Sequence, residues 1–353
     1  MSYQNLVKRT DKQYTFSRTT SSSTDGVDVF GLSTNSLNYT LTYPFSEVAS
    51  VRTTFTARND NKVTKSIDDF SLVYPNSNEY RGVGKIAFVF DNTRNRMTNI
   101  YYGTKFTIFG EYYQEVGDGS FFSTITNKNK NGDVRGKGDG TNGNMQVVGF
   151  DLRHSQKISR EFVWVNRFAA SSSFGYEKLI YYLGSLDDWI PIGQEQFINP
   201  EDVNRKINYR YHALAANMRG FPQNIRRGTN FAVINSELRM PIFKYFIRRP
   251  IRSNFVKNFQ LIAFTDVGTA WSGLSPWGKE NSIDEDVYTD GPLSNPTITV
   301  TVSKKINPIV AGYGFGFRTT LLGYFLRLDW AWGVEDGYTK DKPMVYLSLS
   351  LDI

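Results

Sequence analysis

The sequence predicts an all-β chain, a transmembrane antiparallel β-barrel, on three observations. From Val345 to the end the chain alternates strictly, with Val345, Leu347, Leu349, Leu351 and Ile353 on one face and Tyr346, Ser348, Ser350 and Asp352 on the other. Successive strand side chains point to opposite faces, so one face is apolar and the other polar. The composition joins 15% aromatic residues to a mean hydropathy of −0.41, and no run approaches the ~18 apolar residues of a membrane helix. Finally, short and long joins between candidate strands largely alternate, as in outer-membrane barrels with turns at one rim and loops at the other. A terminal strand on a soluble sandwich explains the first observation alone; it gives no reason for the parity of the joins.

A length of 353 residues suits one large barrel. Such a wall has half of each strand in lipid and half toward a wet interior, which explains many aromatics beside a polar average. There is no cysteine, and the two histidines, His154 and His212, argue against a histidine metal centre. The net charge of +7 comes from Lys and Arg spread along the chain, which reads as basic loops facing anionic lipid rather than a nucleic-acid surface. Residues 1–9 have neither an apolar core nor a small-residue cleavage site, so no signal peptide is read there. The sequence is expected to be mature, trimmed, or the C-terminal part of something longer.

The elements follow in order. Residues 13–19 make a short strand before a Ser/Thr/Asp/Gly stretch. Asn35–Tyr43 and Ala49–Arg58 are strands joined by the short turn Pro44–Val48, and polar residues 59–82 read as a long loop. Gly84–Asp91 and Ile100–Tyr113 are strands around a turn at 92–98. Residues 127–144 are rich in Gly, Asn and Lys and read as a mobile loop. Met145–Gln156 and Phe162–Ser172 flank a tight turn at Lys157–Glu161. After a long segment, 173–227, come Gly228–Pro241 and Phe264–Trp271, and Val310–Thr319 and Leu322–Trp332 meet at a turn near 320–323. Residues 243–256 are long for the short-turn side, and their aromatics with Arg248, Arg249 and Arg252 suit a membrane interface or a partner contact. About twelve strands are legible, and no helix-period segment is.

Four pieces stand in fixed order: Met218–Phe221 (Met-Arg-Gly-Phe), Gly228–Pro241, Phe264–Trp271 and Gly312–Arg318. In this order and spacing they resemble the BamA/TamA-like outer-membrane assembly and secretion superfamily, the bacterial surface-antigen barrel. The resemblance covers roughly residues 145–353, and the style of the N-terminal part is similar to versions from the Bacteroidetes group. It implies that Arg219, with Gly220 and Phe221, sits at the tip of a long extracellular loop folded back into the barrel. It also implies that Glu237 and Asp266 are wall partners, with Phe264 and Gly268 on the same face as Asp266. Buried guanidinium needs carboxylate partners, and arginine supplies the rigid fork.

The family's terminal strand serves as an assembly signal, which here falls on Leu347, Leu349, Leu351 and Ile353. Family members usually end in an aromatic residue after an upstream glycine, whereas this chain ends in Ile353 with no glycine after Pro343. The periplasmic polypeptide-transport-associated repeats that precede most family barrels are absent from residues 1–353, and sixteen strands are the family's number. One outer-membrane barrel domain over 1–353 is therefore expected.

No catalytic constellation emerges. Asp187 and Asp188, and Asp284, Glu285 and Asp286, read as solvated loop charge or adventitious cation sites, and there is no Gly-x-Ser-x-Gly elbow. The resemblance implies a non-enzymatic barrel without cofactor or metal, in assembly, insertion or translocation of proteins at the bacterial outer membrane. Its expected partners are outer-membrane lipids, lipopolysaccharide and protein subunits or clients, and not nucleic acid. A barrel acting as anchor or pore subunit of a larger assembly is the other reading.

Overall fold

The structure, a computed structural model, describes residues 11–22, 30–64, 77–116, 143–186, 189–190, 209–222, 224–247, 249–278, 285–290, 298–303 and 307–350. The first strands are β1 (Asp11–Ser22), β2 (Phe30–Pro44), β3 (Ala49–Thr64), β4 (Ser77–Asp91), β5 (Arg94–Met97) and β6 (Ile100–Glu115). Next come β7 (Asn144–Ser159), β8 (Phe162–Gly175), β9 (Lys178–Leu183), β10 (Trp189–Ile190), β11 (Tyr209–Leu214), β12 (Arg226–Gly228) and β13 (Asn230–Met240). Two short helices, α1 (Ile242–Phe246) and α2 (Asn254–Lys257), precede β14 (Gln260–Trp271), β15 (Glu285–Asp290) and β16 (Ile298–Ser303). The chain continues through β17 (Val310–Leu321), β18 (Tyr324–Glu335), β19 (Tyr338–Thr339) and β20 (Met344–Ser350). No helix among the described residues is long and apolar enough to cross a membrane.

The chain falls into two compact units. The first comprises Met1–Val89, Ile108–Val148 and Phe174–Glu177. Within it β1, β2 and β3 form antiparallel ladders. On one face of the β2–β3 pair the partners are polar and bonded across the ladder: Thr40 to Thr54 at 3.0 Å, Thr56 to Asn38 at 2.6 Å and Thr34 to Asp60 at 2.8 Å. On the other face Tyr39 opposes Phe55 and Leu37 opposes Ala57, and Phe55 is 55% exposed. Apolar side chains point outward and polar ones pair, the reverse of a water-soluble sheet. The same unit buries Arg81, whose guanidinium meets Glu177 at 2.5 Å and Glu79 at 3.3 Å.

The second unit comprises Phe90–Thr107, Gly149–Ser173 and Lys178–Ile353. Its strands β8, β13, β14, β17, β18 and β20 are neighbours in that order, each pair antiparallel. Strand β14 shows the principle that governs them all. Gln260, Ile262, Phe264, Asp266, Gly268 and Ala270 are buried, while Ala263, Thr265 and Val267 between them are exposed. Across the exposed face runs an aromatic band, in which Tyr313 stacks on Trp332 at 6.0 Å and Phe315 on Trp330 at 5.6 Å. The segment before β13 lies against the buried face, with β11 running parallel to β9 and β12 antiparallel to it. Met218, Phe221, Leu183 and Val233 share one core cluster there.

The long strands follow the sequence reading but differ at their ends, and shorter strands appear where joins were expected: β4 already begins at Ser77 within 59–82, β5 lies within the turn at 92–98, and β9, β11 and β12 begin within 173–227. Strand β3 runs to Thr64 and pairs with β2 as far as Phe30, so residues 59–64 are ladder and not loop. Their polar side chains carry no alternating apolar signal, which is why they read as loop. Strand β18 likewise extends beyond the expected Trp332 to Glu335, turns at Asp336–Gly337 and pairs with β19. Residues 243–256 hold α1 and α2, five and four residues long. At little more than one turn each, they cannot show the 3.6-residue period by which helices are recognised. The Gly/Asn/Lys-rich 127–142, Asp187, Asp188, Asp284, and Leu351 and Ile353 of the terminal strand lie outside the described residues.

Strand β20 places the two faces of the terminal strand in opposite environments: Leu349 is 44% exposed, whereas Tyr346 and Ser348 are buried. With the exposed face against lipid, Leu349→Arg is expected to cost about 2–4 kcal/mol near the membrane midplane and less toward its edges. Ser348→Ala should refold close to wild type. The heat-modifiable fraction after refolding into lipid vesicles ranks the two, and the reverse order would show the faces to be exchanged.

Candidate functional site

The buried face of the second unit carries ionised groups where a soluble core would carry aliphatic ones. Asp266 on β14 is fully buried, and an isolated carboxylate there would be prohibitive. Its partner arrives from the segment between β11 and β12. Arg219, 2% exposed, gives a two-pronged contact, Nε to Asp266 Oδ2 and Nη2 to Asp266 Oδ1, each at 2.7 Å. The Arg219 backbone N–H donates to Asp266 Oδ2 as well, at 3.1 Å. Its remaining Nη1 reaches Glu237 Oε1 on β13 at 2.6 Å, and the guanidinium lies 3.6 Å above the ring of Phe264. Burial works against the Arg219 cation, but the charges of Asp266 and Glu237 outweigh it and hold the group above the ordinary arginine pKa.

The backbone of this tip fits because side chains are missing beneath it. Strand β17 carries Gly312, Gly314 and Gly316 at every second position, all on one face. A Cβ at Gly312 would collide with the Arg219 carbonyl oxygen. Gly220 has φ +95°, a conformation that side chains resist, and a Cβ there would meet the Gly333 backbone nitrogen on β18 at 2.7 Å. The tip therefore rests backbone to backbone on two adjacent strands.

Three further residues fasten it. Tyr346 of the terminal strand donates its hydroxyl to the Phe221 carbonyl at 2.7 Å and accepts from the Gly220 N–H at 3.1 Å. Asn235 on β13 donates to both Asp266 Oδ1 and the Asn217 carbonyl, each at 2.8 Å. Arg226 at the segment's return reaches Glu335 at 2.7 Å. Of the residues the sequence singles out, Arg219, Gly220, Phe221, Glu237, Phe264 and Asp266 thus form one cluster. Gly268, on the same buried face, packs instead against Val233 and Leu183. Leu347 and Leu349 lie on β20's other face, away from the cluster.

Sequence reasoning assigned no role to Tyr346, Asn235, Gly312 or Gly333. The alternating glycines of β17 were a visible signal, since three on one face leave a smooth floor. Nothing local marks Tyr346 or Asn235 as loop ligands. Among the described residues no group of three His, Cys, Asp or Glu is arranged to hold a metal.

Removing one partner of a buried, hydrogen-bonded ion pair leaves the other charge stranded, at a cost of about 3–5 kcal/mol. Arg219→Ala is expected to destabilise the second unit by that amount and to expose 209–222 to protease. Arg219→Lys keeps the charge but loses the fork, and should recover only part of the stability. Gly312→Ala should release the segment without touching any charge. Limited proteolysis and denaturant unfolding in detergent check all three, and wild-type behaviour in Arg219→Ala would make the ion pair energetically idle.

No protein-family model and no characterised protein sequence matches the chain. Solved structures do. One is BamA from Haemophilus ducreyi lacking POTRA domains 1–3, with a TM-score of 0.51 at 10% identity over 95% of this chain and 57% of that one. CdiB from Acinetobacter baumannii matches with a TM-score of 0.34 at 12% identity, over 91% of this chain and 53% of that one. The chain thus spans little more than half the length of the BamA it matches. Its strands and their order have the fold of that BamA: the chain is an all-β, antiparallel transmembrane β-barrel.

Proposed function

We propose that this chain is an outer-membrane β-barrel domain of the BamA/TamA-like superfamily, acting in assembly, insertion or translocation of proteins at the bacterial outer membrane. The observation that carries this reading is the Arg219 tip, held by Asp266 and Glu237 on the strand face and by Tyr346 of the terminal strand. The likeness to BamA over nearly the whole chain supports the same reading.

In this reading the segment 209–228 is an internal plug fastened to the wall. Tyr346 gives the plug and the terminal strand a shared hydrogen bond, so a change in one strains the other. The alternating face of Leu347, Leu349, Leu351 and Ile353 serves as the assembly signal and meets lipid. The exposed aromatic band meets outer-membrane lipid, and protein subunits or clients are the partners. No step of this role requires a cofactor or catalysis, and the Bacteroidetes-like style of the N-terminal part points to that group as the source.

The test is client folding. The complete gene product carrying this chain, reconstituted in liposomes, is expected to accelerate folding of an unfolded outer-membrane β-barrel over liposomes that lack it. Asp266→Asn, which keeps the shape but loses the charge holding Arg219, should lower that acceleration. The readout is the heat-modifiable fraction of the client over time. A folded, membrane-integrated protein that gives no acceleration would sink the assembly reading and favour an anchor or pore subunit.

A further inference from the structure

Beside the Arg219 cluster, within the second unit, lies a cavity of about 420 Å³. That is room for roughly a dozen waters. Its lining is one-sided in charge. Arg219, Arg239, Arg318 and Arg327 face it from one part of the wall, and Lys105, Arg153 and Arg167 from another. The only lining carboxylate among the described residues is Glu237.

Pairing does not remove the imbalance. Asp151 is shared by Arg153 at 3.2 Å and Arg167 at 2.7 Å. Glu237 is shared by Arg219 at 2.6 Å and Arg239 at 2.7 Å. Asp266 takes Arg219, Asp329 takes Arg318, and Asp91 takes Lys105. Among the described residues seven cations thus meet five carboxylates, leaving two positive charges over.

Arg327 is where the excess is concentrated. It makes no hydrogen bond or ion pair with any described residue, and its Nε is buried without a partner. Across the β17–β18 ladder it stands directly opposite Arg318, so two guanidinium groups share one face at neighbouring positions. Like charges so placed repel, and a part-buried guanidinium with no bonded counter-charge among the described residues favours an anion beside it. Arg318 is bonded to Asp329, whereas Arg327 feels Glu237 and Asp329 only through space and is bonded to neither among the described residues.

We propose that this cavity is a binding site for a small, multiply charged oxyanion of the phosphate class, with Arg327, which no described residue pairs, as its central ligand. Guanidinium forks match oxyanions two bonds at a time, and Arg239, Arg318 and Arg153 surround the same space. Lys105 and Arg153 are part-exposed, so solvent reaches the cavity. This inference is independent of the assembly reading, because it needs only the folded second unit.

The experiment titrates pyrophosphate, and in parallel glycerol 3-phosphate as a headgroup mimic, into the whole folded chain in detergent at constant ionic strength. Binding is read by calorimetry and by the rise in unfolding temperature that a native-state ligand produces. Wild type is expected to bind saturably, and Arg327→Gln to bind at least about tenfold more weakly, the worth of one charge-assisted hydrogen-bond pair. Arg153→Gln, half-exposed and so not needed for folding, should also weaken binding, whereas Arg249→Gln in the α1–α2 turn should not. Preference for pyrophosphate assigns a soluble polyphosphate, and preference for the monoester a lipid headgroup; either, if lost in the variants, supports the site. Absence of saturable binding to wild type overturns the proposal. So does wild-type affinity in Arg327→Gln, or in Arg153→Gln should the first variant fail to fold.

Discussion

The contact between Arg219 and Asp266 is the constraint on which the second unit depends. A fully buried carboxylate on β14 is tolerable only with a cation bonded to it. That cation comes from a segment 47 residues earlier in the chain, so the segment must return to the strand face and stay there. Everything around it serves the return. Gly312 removes the side chain that would block the Arg219 carbonyl, Gly220 supplies the positive φ of the bend, and Asn235 aims the carboxylate. The hydroxyl of Tyr346 satisfies one donor and one acceptor of the bend that would otherwise be buried unpaired.

The pair is also a reason to expect one defined arrangement rather than many. An apolar plug could slide over an apolar wall at small cost. An arginine whose guanidinium makes three bonds and whose backbone N–H makes a fourth to the same two carboxylates cannot move by one residue without losing most of them. Phe221 and Met218, both fully buried, add apolar contact on either side of the arginine. Specificity comes from the charges, and bulk stabilisation from the flanking side chains.

Polarity is inverted in both units, and the inversion has one physical origin. In lipid there is no water for a polar side chain to reach, so polar groups turn inward and pair with each other. In the first unit neutral pairs such as Thr40 with Thr54 and Asn38 with Thr56 stand beside the buried Arg81–Glu177 ion pair. In the second they are ionic and drawn from many strands, which lets β7, β13, β14, β17 and β18 contribute to a single electrostatic cluster. Such a network is rarely neutral in detail, and among the described residues its excess of positive charge centres on Arg327.

By itself the sequence determined the class of fold, the long strands and the inward or outward sense of each side chain. Those properties rest on period-two alternation, which each strand carries in its own residues, as Val345 to Leu349 illustrate. It also named Arg219, Glu237 and Asp266, because their motifs resemble those of a known superfamily. What only the tertiary structure decided is which distant groups meet. The two short helices after β13 are too brief to leave a period, and the largely polar end of β3 shows no alternation. Tyr346 looks like any polar-face residue until the Gly220–Phe221 bend is laid against it, and Arg327 like any strand arginine until Arg318 is found opposite. Strand register and loop return are set by contacts between residues far apart in the chain, and no local pattern encodes them.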